Sequence, residues 1–206
     1  MIIVDLGTIG YASALQFQYE QVEKVRQGEG ERLLLCEHPA VLTLGRSAHK
    51  VHVLKGSEWL VEHRIRTLDV DRGGDVTLHA PGQLVAYPIL DLTRHGRDLH
   101  RYLHQLEQVA IDFMAQFDIV GERMSGRTGV WVGPRKCVSI GIGIKKWISF
   151  HGVGININTD LELFSLIKPC GLDVQMTSMA REKGEPVDMN VAKDRLVQTF
   201  RDAFPE

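Results

Sequence analysis

Apolar residues recur along this chain with two periods, and each period predicts a different element. Runs in which every second residue is apolar predict strands, and apolar residues at i, i+3 and i+4 predict helices. The clearest helical stripe covers residues 98–117, with Leu106 and Phe113 near its centre. A second helix is predicted from a Thr8 cap to Arg26, with Leu15 and Tyr19 on its buried stripe. Further helical segments are predicted at residues 58–62 (capped by Ser57), near Leu161, at 177–183 and at 190–203.

The predicted strands dominate the middle of the chain, and they do not alternate strictly with helices. This order predicts an α+β fold in which a mixed β-sheet packs against helices. With 206 residues, no internal repeat and no obvious linker, residues 1–206 are expected to form a single domain. The strands are predicted at residues 2–6, 32–36, 40–44, 76–80, 84–90, 129–132, 137–144, 147–150 and 152–156.

Composition excludes several classes of function. The chain is 44% hydrophobic and 24% charged, as in an ordinary soluble protein, and its formal charge of −2 predicts no attraction to nucleic acid or membranes. No apolar run approaches the ~20 residues that span a bilayer, and the first residues lack a targeting pattern. The three cysteines form no CxxC, and His100 and His104 have no evident third ligand, so no metal is expected. We therefore expect a cytoplasmic protein.

Residues 72–83 bring the most functional groups together, and they read Arg-Gly-Gly-Asp-Val-Thr-Leu-His-Ala-Pro-Gly-Gln. Gly73 and Gly74 allow a ligand to approach the backbone closely. In the strand that follows, alternation places Thr77 and His79 on the same face. Taken alone, this stretch is more typical of a plain hairpin with a structural histidine than of a binding site.

A second group of candidates lies downstream and comprises Lys136, His151 and Cys170. Cys170 stands between Pro169 and Gly171, which predicts an accessible loop thiol. Each of these residues also has an ordinary structural explanation, because cysteine behaves mostly as a small hydrophobe and a turn lysine is usually solvated.

The strand after Lys136 carries Gly141 and Gly143, which remove two side chains from it. An extended ligand fits beside such a strand. Cys36 and His38, by contrast, belong to an apolar strand and its end, and are expected to be structural.

Together these segments resemble the signature of the lipoyl(octanoyl) transferases. The departures are modest: Leu78 stands where an aromatic residue is common, and Cys137 and Val138 replace the usual residues after Lys136. The resemblance implies the fold of the biotin and lipoate protein ligase catalytic domains. The matching segments, in family order from about residue 37 to 175, are His38-Pro39, Thr43-Leu-Gly45, residues 72–83, Tyr87-Pro88, Lys136, Ser139-Ile-Gly141, His151-Gly152, Asn156 and Pro169-Cys-Gly171.

This resemblance implies an acyltransferase that moves an octanoyl or lipoyl group from acyl carrier protein to a lysine of a lipoyl domain, without ATP or a metal. The expected acceptors are the lipoyl domains of 2-oxoacid dehydrogenase complexes and the glycine cleavage H protein. Cys170 would hold the acyl group as a thioester. Lys136 would stabilise its thiolate and later accept a proton from the incoming amine. His79 would either orient or hydrogen-bond the acyl carbonyl, or brace the Gly-Gly turn.

The same resemblance implies which residues line the acyl channel. Among them, His151 has the alternative of only supporting the wall, and backbone N–H groups near Gly152 and Gly171 are candidates for stabilising an oxyanion. The expected substrate-binding residues are Arg72, Gly73, Gly74, Asp75, Val76, Thr77, Leu78, His79, Ser139, Ile140, Gly141, His151, Gly152, Val153 and Gly154.

Three other functions remain open. An ATP-dependent lipoate or biotin ligase shares the implied fold, but needs no cysteine. A thioesterase would pair Cys170 with His79 or His151, and a binding module would recognise lipoyl domains without catalysis. Basic residues are candidates for docking an acidic partner, or are ordinary solvated side chains: Arg123, Arg127, Arg135, Lys145 and Lys146.

Overall fold

The computed structural model describes residues 1–168 and 174–205, and within them ten strands form two sheets flanked by five α-helices. The strands are β1 Ile2–Thr8, β2 Arg32–Glu37, β3 Val41–Leu44, β4 Arg66–Asp69, β5 Val76–His79, β6 Gln83–Ile89, β7 Glu122–Met124, β8 Arg127–Val132, β9 Arg135–Lys145 and β10 Ile148–Asn156. The α-helices are α1 Tyr11–Arg26, α2 Ser57–Glu62, α3 Leu99–Ala115, α4 Met179–Lys183 and α5 Met189–Ala203, and 3-10 segments cover Lys50–His52 and Leu161–Leu166.

The large sheet has seven strands in the order β1-β2-β6-β10-β9-β8-β7. In this sheet β1 and β2 pair in parallel and the other neighbouring strands pair antiparallel, so the mixed sheet expected from the sequence is confirmed. Both faces are covered. Leu33 and Leu35 pack in a core with α3 and α5, while Leu34 and Cys36 pack in a second core with α1. Alternation along one strand thus supplies both cores.

The small sheet has the order β4-β3-β5, with β3 parallel to β4 and antiparallel to β5. A hairpin between β5 and β6 was one interpretation of the sequence, and it is wrong: the chain leaves the small sheet after His79 and enters the large one at Gln83. Gly82 makes this crossing with φ of +81°, and a Cβ there would lie 2.7 Å from the Asn158 carbonyl. The crossing therefore requires glycine, and it places β5 opposite the large sheet.

Two predicted helix starts differ from the structure. Thr8 ends β1, and α1 begins at Tyr11 after Gly10, which makes no side-chain cap. Ser57 is the first residue of α2 and not its cap. By contrast, the Asp98 carboxylate accepts hydrogen bonds from the first N–H groups of α3, which satisfies donors that a helix start leaves unpaired.

The buried face of α1 also differs from the predicted stripe. Gln18 and Gln21 are buried, whereas Leu15 and Tyr19 are only partly covered. The reason is a specific bond: the Gln18 Oε1 accepts the backbone N–H of His151 at 2.7 Å. A polar residue is buried here because it satisfies a backbone donor of the sheet.

The described residues contain no helix with both the length and the apolar character required to cross a bilayer.

Candidate active site

A cavity of about 380 Å³ lies where β8 separates from β9. The last paired residues of the two strands are Val130 and Val138, yet β9 runs on to Lys145. Beyond Val138, β9 is no longer paired with β8 on this edge. The loop before β5 approaches the edge there, and the Gly73 N–H donates to the Ile142 carbonyl at 2.8 Å. The cavity is therefore bounded by strands on one side and by the Gly-Gly turn on the other.

The residues expected to bind substrate line this cavity, with Leu78 as the exception. Leu78 is fully buried in the core of the small sheet, because alternation along β5 turns it away from Thr77 and His79. Lys136 also lines the cavity, whereas Cys170 lies outside the described residues. Several other residues line the cavity that were not predicted to bind substrate, including Tyr11, Val85, Tyr87, Leu103, Trp131 and Val174.

Glycines form one wall of the cavity, and the packing explains why. A Cβ on Gly152 would stand 2.3 Å from the Ala86 carbonyl oxygen, and one on Gly141 would stand 3.0 Å from Cδ of Arg72. The contact at Gly152 is closer than real Cβ atoms approach backbone, and the one at Gly141 is tight against the Arg72 side chain. The wall is thus bare backbone, which lets an extended ligand lie flat against it.

Arg72 braces the Gly-Gly turn. Its guanidinium donates to the Thr43 carbonyl at 2.7 Å, to the Thr43 hydroxyl at 2.9 Å and to the Gly73 carbonyl at 2.9 Å. These bonds connect the turn to β3 and provide the guanidinium with protein acceptors at the edge of the cavity. The bracing role proposed for His79 therefore belongs to Arg72.

The hydrogen bonds of His79 determine which ring nitrogen carries its proton. The Asn156 amide donates to the Thr177 carbonyl, so the Asn156 oxygen must accept from the Gln83 Nε2. The Gln83 Oε1 is then an acceptor, and His79 must donate to it from Nδ1 at 2.7 Å. Burial, and then the charge of His38, lower the pKa of His79 well below its ordinary value, so the ring is neutral.

In this tautomer the Nε2 of His79 carries a lone pair and no hydrogen. It can accept a hydrogen bond, but it cannot donate one to an acyl carbonyl. Tyr11 stacks on the ring with centroids 5.4 Å apart and holds its plane. A hydrogen bond from His79 to the acyl carbonyl, one of the expected roles, does not fit this arrangement. The expected orienting role stays a prediction.

His151 is a buried residue with φ of +55°, a conformation that is uncommon outside glycine. Its Nε2 lies 2.9 Å from the Asp71 carboxylate and its Nδ1 lies 3.2 Å from the Tyr11 hydroxyl. Burial lowers the pKa of His151, although the bond to Asp71 opposes this shift. A neutral ring donates to Asp71 and accepts from Tyr11, so His151 ties α1 to the cavity wall.

The backbone of Lys136 is hydrogen-bonded to residues 175–177, on the edge of β9 that faces away from β8. Its N–H donates to the Gln175 carbonyl at 2.8 Å and its carbonyl accepts from Thr177 at 2.9 Å. The side chain crosses Gly129, where a Cβ would meet the Lys136 Cε at 2.6 Å, and its Nζ lies 5.5 Å from the Trp131 ring centre. The amine is thereby positioned at the cavity by β8, β9 and the segment at residues 175–177.

Known proteins match this chain over nearly its full length. The family model described as the lipoyl protein ligase A/B catalytic domain matches residues 10–201. The octanoyltransferase of Geobacter sp. (strain M21) is 45% identical over 202 residues, which cover 98% of this chain and 96% of that protein. The octanoyltransferase of Solibacter usitatus is 47% identical and covers 97% and 90% of the two chains.

The chain belongs to the lipoyl protein ligase A/B catalytic domain family.

Solved structures place this family member in the expected fold. A putative lipoate protein ligase from T. acidophilum superposes with a TM-score of 0.77 at 13% identity, covering 98% of this chain and 84% of that one. The P. falciparum protein LipL1, solved with lipoate, gives 0.79 at 11% identity, covering 98% and 62%. At these identities the likeness concerns the fold alone, and it confirms the predicted ligase-type architecture. The predicted acyltransferase class is confirmed by the curated octanoyltransferases.

In this family member, the basic residues considered for docking do not form one patch. Arg123 pairs with Glu107 at 3.1 Å and Arg135 with Glu182 at 2.8 Å. Lys145 ends β9, ten residues after Arg135 and thus about 33 Å away along an extended strand. The prediction of a single patch is wrong because β9 separates its members.

Cys36 and His38 have structural roles. The His38 Nδ1 donates to the Ile9 carbonyl and its Nε2 accepts from the Tyr87 hydroxyl, both at 2.7 Å. The Cys36 Sγ lies 3.4 Å from the same Nε2, and burial raises the pKa of this thiol. A buried thiol with a raised pKa is a poor nucleophile. Residues 1–168 and 174–205 contain no group of three or more potential ligands that could hold a metal ion.

Proposed function

We propose that the protein transfers an octanoyl group from acyl carrier protein to a lysine of a lipoyl domain through a thioester on Cys170. One observation carries the proposal: a cavity of about 380 Å³ with a glycine wall has Lys136 in its lining, in a chain 45% identical to an octanoyltransferase. Cys170 lies outside the described residues, and its role rests on the sequence motif Pro169-Cys-Gly171.

The polarity of the cavity suits a saturated acyl chain. Its two charged residues near the turn are hydrogen-bonded to other protein groups: Arg72 binds Thr43, while the Asp75 carboxylate accepts from the His49 N–H and pairs with His52. The histidines that face it are neutral. The rest of the lining is mostly backbone and apolar side chains with a few polar groups, among them Ser139 and Lys136, as in most small-molecule sites.

The reaction would proceed in two transfers. The Cys170 thiolate attacks the thioester carbonyl of the donor, the new S–C bond replaces the old one, and the carrier thiolate leaves and takes up a proton. The acceptor lysine amine then attacks the acyl-enzyme, loses a proton to Lys136, and releases the Cys170 thiolate. Thioester exchange is nearly balanced in free energy, whereas amide formation is downhill.

Lys136 can serve both transfers because the charge beside it changes. While Cys170 is a thiolate, the ammonium stabilises it. Once the sulfur is acylated its negative charge is gone, so the ammonium loses its proton more easily and becomes a general base. The backbone bonds to Gln175 and Thr177 keep the amine positioned throughout.

The donor is already activated as a thioester, so the proposed reaction requires neither ATP nor a metal. The expected acceptors are the lipoyl domains of 2-oxoacid dehydrogenase complexes and the glycine cleavage H protein. A structural neighbour from Thermoplasma acidophilum, a bi-partite lipoate protein ligase, was solved in a study that includes its E2 lipoyl domain.

Intact-protein mass spectrometry tests the proposal directly. Incubation with octanoyl acyl carrier protein should add one octanoyl group, mapped to Cys170 by peptide analysis and discharged by an apo lipoyl domain. An adduct on Cys36 or Cys137, or no adduct, would refute the assignment. Retained transfer by Cys170→Ala with free octanoate and ATP would instead indicate a ligase, and rapid hydrolysis without an acceptor would indicate a thioesterase.

A further inference from the structure

A second concave surface lies on the small sheet and combines positive charge with exposed apolar side chains. We call it the basic groove; it is formed by β4, α2 and the segment around Lys50–His52. Seven large hydrophobic residues are strongly exposed in the described part of the chain. One of them, Val61 (76% exposed), lines the groove, and two more, Val51 (77%) and Leu54 (45%), lie beside it in the segment that contributes Lys50, Val53 and Lys55 to its lining. Such clustering of apolar surface marks interaction sites.

Four cations line the basic groove: Lys50, Lys55, Arg64 and Arg66. None of the four forms an ion pair within the residues that the structure describes, whereas Arg26, Arg123 and Arg135 elsewhere all do. The groove also has carboxylates nearby: Asp69 lines it, and α2 carries Glu58 and Glu62. The lining nonetheless carries four cations against one carboxylate, in a chain whose formal net charge is −2.

The basic groove is connected to the candidate active site without being part of it. The two share no lining residue among those described. Between them lies His52, whose ring pairs with Asp75 of the cavity and whose carbonyl accepts the Lys168 N–H at 2.8 Å. Leu54 donates to the Leu166 carbonyl at 2.8 Å. The groove thus lies against the chain that leads, two residues after Lys168, to Cys170.

We propose that the basic groove docks the acyl carrier protein, the donor in the proposed function on which this inference rests. An acidic protein surface complements these four cations, which form no ion pair among the described residues; Lys55 has only the Trp59 ring beside it, 5.3 Å from its Nζ. Exposed Val61 in the groove and Val51 beside it supply apolar surface. The acceptor fits less well. The acceptor lysine side chain is short, so the lipoyl domain must bind at the mouth of the cavity. The acyl carrier protein presents its acyl group on a long prosthetic arm, so it can bind beside the cavity.

Charge reversal in the groove tests this assignment. Lys55→Glu/Arg66→Glu should raise KM for octanoyl acyl carrier protein about tenfold, leave kcat within about twofold, and weaken binding of unacylated carrier protein in fluorescence anisotropy to the same extent. Activity with the small donor octanoyl-N-acetylcysteamine should not change. The matched control is Lys24→Glu/Arg201→Glu, which alters net charge equally at exposed sites on α1 and α5 and should behave as wild type.

Three outcomes would overturn the proposal: unchanged carrier KM and binding, an equal loss in the control variant, or a raised KM for the lipoyl domain instead. The last would assign the groove to the acceptor. Failure of the proposed function is distinguishable, because wild-type protein would then form no Cys170 thioester from the small donor, while the anisotropy measurement would still report docking. Thermal unfolding of each variant verifies that it is folded.

Discussion

Gly129 is expected to position the amine of Lys136, the base in the proposed mechanism, and replacing it with alanine should displace that side chain. The residue has φ of +124°, which side-chain-bearing residues rarely adopt. A Cβ there would lie 2.4 Å from the Val138 carbonyl oxygen, 2.6 Å from the Lys136 Cε and 3.2 Å from its Nζ. The Gly129 N–H also donates to the buried carboxylate of Glu107 at 3.1 Å, so the backbone is held in place.

The magnitude follows from these contacts. The backbone conformation alone costs alanine about 1–3 kcal/mol. The Val138 carbonyl belongs to the sheet and cannot rotate away, whereas the flexible Lys136 side chain can. We therefore expect Gly129→Ala to lower the free energy of unfolding by about 3 kcal/mol, or about 6–12 °C in Tm for a chain of this size. Displacement of the amine should raise the apparent pKa of Cys170 alkylation by about one unit, equivalent to about 1.4 kcal/mol.

Gly133→Ala provides a matched control. Gly133 also has positive φ, +54°, but a Cβ there meets nothing within 4 Å. It should lose only about 1–2 kcal/mol, the cost of the left-handed conformation, and retain the wild-type alkylation profile. The assay is iodoacetamide labelling of Cys170 from pH 5 to 10, followed by mass spectrometry. If both variants shift the profile equally, or neither does, Gly129 does not position Lys136.

Three further predictions concern Lys136, Arg72 and His79. Lys136→Met should raise the apparent pKa of Cys170 alkylation whereas Lys145→Met should not, and identical profiles would remove Lys136 from the mechanism. Arg72→Met should lower the free energy of unfolding in urea by about 2–4 kcal/mol, because buried oxygens of Thr43 and Gly73 lose their donors; a loss below about 1 kcal/mol would contradict this role. Because the pKa of His79 is depressed on folding, its contribution is complete above the unfolded pKa of about 6.5 and is lost as pH falls below it. Below pH ~6.5 the free energy of unfolding of His79→Gln should therefore fall less steeply than that of the wild-type protein, by up to about 1.4 kcal/mol per pH unit. Parallel pH profiles for the two proteins would show that folding does not depress the pKa of His79.

Local patterns predicted the elements well, but not which sheet each strand joins. The stretch after Gly74 was correctly assigned as a strand, and the residues after Gly82 as another. Alternation has the same form in either sheet, so it carries no information about strand partners. The pairing of β5 with β3 depends on contacts between residues far apart in the chain, such as His79 with Val41.

The candidate site likewise contains residues that the sequence predicted and residues that only tertiary contacts bring there. Gly141 and Gly143 were selected because glycine within a strand signals close approach of another group. Gly141 does line the cavity, whereas Gly143 is packed against the Phe150 ring. Gly152 and Gly154, selected from the family resemblance, also line the cavity. Tyr11 was missed, since a single aromatic at a helix start carries no functional signal. Its stacking on His79 and its bond to His151 depend on the docking of α1 against the large sheet. Gln18 was missed for the same reason.

The bond between the Gly73 N–H and the Ile142 carbonyl has a consequence beyond ligand binding. A strand whose neighbour departs halfway presents bare backbone groups, which are a template for pairing with another molecule. The turn that contains Gly73 covers that template, so the same few residues protect the protein against self-association. Changes that loosen this turn to admit bulkier substrates should therefore reduce solubility before they abolish folding.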